Sequence, residues 1–108
     1  MEIAFENRKL RRLCEDERVS DKALGEGCAG HLRHRLADLR AAKSVASLFA
    51  GCPRAITFEE PEAMALELGS YGLLVFISNH VIPPAKKNGR LDWSQVTRIR
   101  IVSIGGGN

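Results

Sequence analysis

The apolar residues of the chain fall into one unbroken run and several periodic ones, and these lay out its elements. Leu73, Leu74, Val75, Phe76 and Ile77 are apolar without interruption, with Gly69-Ser70 before them and Asn79 after. A half-buried strand alternates, whereas this run offers apolar side chains to both faces, as a central strand does. Tyr71–Ser78 is therefore expected to be the middle of a small sheet. It is too short to cross a bilayer, which takes about 20 apolar residues as a helix. Just before it, Met64-Ala65-Leu66-Glu67-Leu68 alternates and joins it through the tight Gly69-Ser70 connection, a β-hairpin pattern. Thr97–Ile104 alternates again, with Ile99 and Ile101 predicted inward and Arg98 and Arg100 outward. Glu2–Glu6 alternates as well and reads as a short first strand.

Between the first strand and the hairpin the period becomes helical. Asn7 is a good N-cap for a helix through about Glu17, which places Leu10, Leu13 and Cys14 on one stripe. Ser20 caps a further turn, Asp21–Leu24, before Gly25 and Gly27 interrupt the pattern. A second long helix over about Gly27–Ala42 puts Cys28, Leu32, Leu36 and Leu39 in one narrow stripe that faces the sheet. The two helices form an antiparallel hairpin. Ser44 caps a short turn carrying Val45 and Leu48, and Gly51-Cys52-Pro53 breaks the chain. Asn79–Arg90, with two prolines, Lys86, Lys87 and Asn88-Gly89, reads as an irregular loop, and Trp93 re-enters the body as an anchor. Gly105–Asn108 reads as a flexible tail. The expected class is α+β: an N-terminal helical hairpin on one face of a three- to four-stranded, mainly antiparallel sheet. The other face is left open, with Arg98 and Arg100 beneath the Lys86–Arg90 loop.

Composition narrows the class. With 108 residues the chain is one domain, 1–108, large enough for one core but not two. Apolar residues at 44% and charged ones at 27% are the balance of a globular domain, not of a disordered or fibrous chain. Met1–Phe5 is mixed and a charged run follows, so no apolar leader is read there and the expected location is the cytoplasm. Cys14, Cys28 and Cys52 are odd in number and fit neither a disulfide framework nor a C-x-x-C site, so they read as reduced thiols. Cys28-x-x-His31-x-x-His34 is not a metal site: zinc needs ligands converging within about 2.0–2.3 Å, which i, i+3 and i+6 on one straight helix do not do. No metal or cofactor is expected.

Charge changes the picture more. The net charge is only +3, but it is unevenly placed. Glu59, Glu60, Glu62 and Glu67 form an acidic segment, while from Leu68 onward five Lys/Arg stand against one acid, Asp92. A second basic block, Arg8, Lys9, Arg11 and Arg12, sits at the positive end of the first helix dipole, with Glu15-Asp16-Glu17 at the negative end. Each such placement costs about 0.3–1 kcal/mol before screening. Arg11–Glu15 and Arg12–Asp16 pairs recover only part of it, being in the less favourable order. Two basic regions point to a polyanion or an acidic protein partner, with Arg8, Arg11 and Arg12 as the partner-binding candidates.

Several stretches together carry a resemblance. They are Phe5-x-x-Arg8-Lys9-Leu10-x-x-Leu13-Cys14 and the helix His31–Leu39, then Tyr71-x-Leu73-Leu74 and Asn79-x-x-Ile82-Pro83. The last is Gly89-x-Leu91-Asp92-Trp93-Ser94-x-Val96-Thr97-x-x-Arg100-Ile101. In this order they resemble the RelE/HigB family, the toxins of bacterial type II toxin–antitoxin modules, also called plasmid-maintenance killer proteins. The resemblance implies a RelE-like fold and an endoribonuclease that cuts messenger RNA, usually on the ribosome. It also implies a cognate antitoxin as partner, a small helix-turn-helix protein. Such chemistry needs cations for the phosphate charge and an acid–base pair at the 2′-hydroxyl and the leaving oxygen. The family draws these from a basic segment before the hairpin, an arginine after the tyrosine of the central strand, and an aromatic or histidine near the C-terminus.

This chain departs at each of those places. Ala55-Ile56-Thr57-Phe58-Glu59-Glu60-Pro61-Glu62 is acidic, Gly72 stands where the arginine would be, and the end reads Ile104-Gly105-Gly106-Gly107-Asn108. Arg54 and Tyr71 match, and His80 in the proline loop is a remote substitute; these three are the catalytic candidates. Arg54, Lys86, Lys87, Arg90 and Arg98 are the RNA-contact candidates. The resemblance thus implies a toxin-family component whose catalytic positions are degraded. The alternatives are a non-catalytic antitoxin- or RNA-binding member of the same fold, or an unrelated small basic binding module.

Overall fold

A computed structural model gives the arrangement of the chain and describes residues 1–48, 51, 53–56 and 62–105. Cys52, Glu59, Glu60 and Gly106–Asn108 lie outside the described residues, while Gly105, expected in the tail, ends the last strand. The elements run β1 (Glu2–Phe5), α1 (Arg8–Glu15), α2 (Glu17–Leu24), α3 (Glu26–Ala41), β2 (Arg54–Ile56), β3 (Ala63–Glu67), β4 (Leu73–Ser78) and β5 (Arg98–Gly105), with 3-10 turns at Val45–Ser47 and Trp93–Gln95. The class is α+β, as the sequence predicts. The helical hairpin is three helices instead of two, and the sheet among the described residues has five strands, more than the three or four expected.

The extra helix comes from Asp16. Its backbone N–H closes α1 by donating to Arg12 O at 2.9 Å. Its carboxylate caps α2 by accepting from Arg18 N–H at 3.0 Å and Val19 N–H at 3.4 Å. One residue therefore ends one helix and starts the next. Asp16 and Glu17 stand at the positive end of α2, where acids are favourable, while Arg8 and Lys9 remain at the positive end of α1. Arg33 of α3 then ties α2 down, reaching Asp21 at 3.2 Å, with Glu17 at 4.0 Å.

The strand order is β1-β5-β4-β3-β2, so β4 is central, as its unbroken apolar run requires. β1 pairs with β5 in parallel; the other three pairings are antiparallel. β4 begins at Leu73, two residues later than expected, because Tyr71 belongs to the turn closed by Tyr71 N–H to Leu68 O at 3.1 Å. The register of β4 with β5 shifts between Val75 and Phe76, whose partners are Ser103 and Ile101. The residue left over, Val102, is a bulge. It lets Ile104 pair with Leu74 and pack against the core although it is an odd number of residues from Ile101.

The core lies between α3 and one sheet face: Leu32, Leu36 and Leu39 meet Leu66, Phe76 and Ile101, all essentially inaccessible to water. Trp93 closes one end edge-on to Phe76, the ring centroids 6.1 Å apart. Arg35, mostly buried, fastens the end of β3 to α3 by donating Nε–H to Glu67 O at 3.0 Å. Gly51 permits this contact: it has φ +84°, and a Cβ there would fall 2.6 Å from Arg35 Nε.

Candidate functional site

The sheet face turned away from the helices is built in register from all five strands. One row runs Ile56, Ala63, Ile77, Arg100 and Ala4; the next runs Arg54, Ala65, Val75 and Ser103. Leu73 follows on β4, opposite Glu67 and Gly105. The centre is apolar, with Leu73, Val75 and Ile77 half-buried and Ala63 and Ala65 buried between their larger neighbours. Its arginines are largely answered from within the chain. Arg98 pairs with Glu2 of β1 at 2.6 Å and Arg100 with Glu6, just beyond β1, at 3.6 Å, both laid alongside β5 by the parallel pairing. Arg98, the RNA-contact candidate on β5, is thus largely neutralised. Arg100 keeps one unmet donor, Nε, which is buried with no hydrogen-bond partner among the described residues.

The remaining RNA candidates lie elsewhere. Arg54 is exposed on β2, three strand spacings from Arg100, or about 14 Å. The Asn79–Arg90 segment holds no helix or strand, as expected, but its second half is ordered by a bridge and turns. Ala85 and Leu91 form a bridge, Lys86 N–H donates to Arg90 O at 2.7 Å, and Gly89 N–H donates to Lys86 O at 2.9 Å, making a small hairpin. Glu62, just before β3, holds it: its Oε2 accepts Leu91 N–H at 2.7 Å and its Oε1 pairs with Arg90 at 3.4 Å. A cleft of about 340 Å³ lies between them, lined by Glu62, Ser78, Pro83, Pro84 and Leu91 among others. Lys86 and Lys87 are exposed and have no ion pair among the described residues. The five candidates therefore do not line one groove. Glu62 was legible only as one of a run of acids; its grip on the hairpin depends on a contact 29 residues away.

The three catalytic candidates are not brought together. Tyr71 precedes β4 and His80 follows it, and a six-residue strand spans about 20 Å. His80 Nε2 accepts Thr97 N–H at 3.0 Å and Arg98 N–H at 3.3 Å. Accepting them uses the lone pair on Nε2. The atom a general base would use is spent on two backbone donors. Tyr71 leans instead on α3: its ring centroid is 5.8 Å from that of His31, and a Cβ on Gly27 would fall 2.7 Å from its Cζ. Gly72 has φ +149°, which side-chain-bearing residues rarely adopt, so the backbone there calls for glycine and not for an arginine.

In the N-terminal block, Arg11 is engaged twice, 4.0 Å from Glu15 and 5.6 Å from the Phe5 ring centroid. Arg8, Lys9 and Arg12 are exposed, with no ion pair among the described residues. No group of three or more His, Cys, Asp or Glu among the described residues could hold a metal ion. No helix among them is long and apolar enough to cross a membrane.

The two described cysteines are free. Burial pushes the Cys14 thiol up to about 12, offset in part by nearby Arg40 and reinforced by Glu15; burial raises Cys28 as well. The fold thus prefers the protonated thiol. Cys14 supports stability fully below about 9, where the unfolded thiol begins to ionise, and this support is lost as pH rises towards about 12. Urea melts taken upward from neutral pH should show a steeper alkaline loss of stability in the native chain than in Cys14→Ala. Equal slopes would remove Cys14 as the cause.

Comparison with protein-family models, with characterised proteins and with solved structures returns no match.

Proposed function

We propose that this chain is a RelE/HigB-like component of a bacterial type II toxin–antitoxin module. It has kept the role of holding a protein partner and has lost its ribonuclease chemistry. The single observation that carries the reading is the open sheet face: an apolar centre of Leu73, Val75 and Ile77 whose bordering arginines on β5 are answered by Glu2 and Glu6. A phosphate arriving there meets little net positive charge, and among the described residues no free acid–base pair stands beside it. An apolar segment of a partner protein meets a matching surface. The order of motifs along the chain supplies the family half of the reading. The cognate antitoxin, a small helix-turn-helix protein in the bacterial cytoplasm, is the partner this implies.

The test is co-expression with the product of the adjacent gene. The native chain should co-purify with it, and Val75→Asp/Ile77→Asp should lose it by at least about tenfold while remaining folded. Retention by a folded Val75→Asp/Ile77→Asp protein would move the interface off this face. The helical basic block would then be the surface to change, through Arg8→Glu/Arg12→Glu.

A further inference from the structure

Val81 and Ile82 are 94% and 85% exposed, the most exposed large apolar side chains among the described residues. A single exposed aliphatic is ordinary on a protein surface; two adjacent ones on a loop fixed at both ends are not. Immediately before them, His80 Nε2 holds the backbone N–H groups of Thr97 and Arg98. Beyond them, Asp92 N–H donates to Pro84 O at 2.9 Å, and Glu62 secures Leu91. Pro83 restricts Ile82, and Pro84 restricts Pro83. The two side chains are therefore held out in water by a backbone with little freedom left to lose on binding. Beside them the hairpin tip displays Lys86 and Lys87, while only Arg90 is answered, by Glu62.

We propose that Asn79–Arg90 is a docking element for an acidic protein segment that also carries apolar side chains. Val81 and Ile82 enter an apolar pocket of that partner, and Lys86 and Lys87 meet its carboxylates. The inference goes beyond the function proposed above and concerns a surface other than the open sheet face. A second copy of the chain is a poor occupant, because its net charge of +3 opposes two cationic surfaces meeting. A nucleic acid would use the lysines but leave Val81 and Ile82 in water, and the loop carries no Phe, Tyr or Trp for bases to stack on.

The test uses the whole chain and two synthetic polyanions of matched charge, each titrated by calorimetry. One is an amphipathic peptide with leucines along one helical face and glutamates on the other; the second is an oligouridylate. The peptide should bind. Val81→Ser/Ile82→Ser should weaken it by about tenfold or more. Lys86→Glu/Lys87→Glu should weaken it too and flatten its salt dependence. Both variants should melt like the native chain, since these side chains lie in water. The proposal is overturned if the peptide fails to bind, or if Val81→Ser/Ile82→Ser leaves its affinity unchanged. It is equally overturned if the oligouridylate binds more tightly with no dependence on Val81 and Ile82, which would make the loop a phosphate site. None of these outcomes touches the open-face reading, whose variants lie on β4.

Discussion

Phe76→Asp is expected to leave the chain unfolded, whereas Leu73→Asp, three residues earlier on the same strand, is expected to fold and melt cooperatively. Phe76 is fully buried, lies between Met64 and Ile101 in the register, and takes the edge of Trp93. Truncating a buried phenylalanine alone costs about 3–5 kcal/mol. A carboxylate placed there also loses its hydration without gaining a partner. The sum rivals the whole stability of a small domain, about 5–15 kcal/mol. Leu73 is half-buried on the other face, where an aspartate can turn to water, so its cost is of the order of 1–2 kcal/mol. Circular dichroism with urea titration separates the cases. A cooperatively folded Phe76→Asp chain would show that β4 is not the centre of the core, and an unfolded Leu73→Asp chain would show that the second face is covered.

That pair of residues also marks how far the sequence could be read. The unbroken run from Leu73 to Ile77 announced a central strand, but a run without alternation cannot say which of its residues face the helices. The periodic segments were legible for the same reason: Leu32, Leu36 and Leu39 share a stripe, and Ile99 and Ile101 alternate with arginines, so their inward placement followed. β2 was not foreseen, since three residues between a chain break and an acidic stretch show no period. The division of the first helix at Asp16 was missed because its charges suited a helix end and a helix start equally well. The bulge at Val102 carries no glycine to announce it.

The site was less legible than the fold, for a physical reason. Glu2 and Glu6 alternate visibly, but whether they meet Arg98 and Arg100 depends on β1 lying parallel to β5, which local sequence does not encode. Glu62 and His80 likewise act across long separations, on Leu91 and on Thr97 and Arg98. Counting cations along the chain showed where charge was placed and not what neutralised it.

Those neutralising contacts decide the outcome for catalysis. In a reconstituted translation reaction the chain should cut ribosome-bound messenger RNA at least about 10²-fold more slowly than an enzyme with an intact acid–base pair, since such a pair contributes about 10²–10⁴-fold. His80→Ala should not lower whatever cleavage remains, because Nε2 is already engaged. It should instead reduce stability only modestly, by about 0.5–1.5 kcal/mol, since both backbone donors are exposed and water can replace the ring. Gly72→Arg should not restore activity, for φ +149° forces the backbone to move before an arginine can be seated, and the variant should melt lower than the native chain. Primer extension across the message, with melting curves on the same preparations, reads both effects. Rapid cleavage that falls about a hundredfold in a still-folded His80→Ala chain would make His80 a catalytic base and overturn the proposed loss of ribonuclease chemistry.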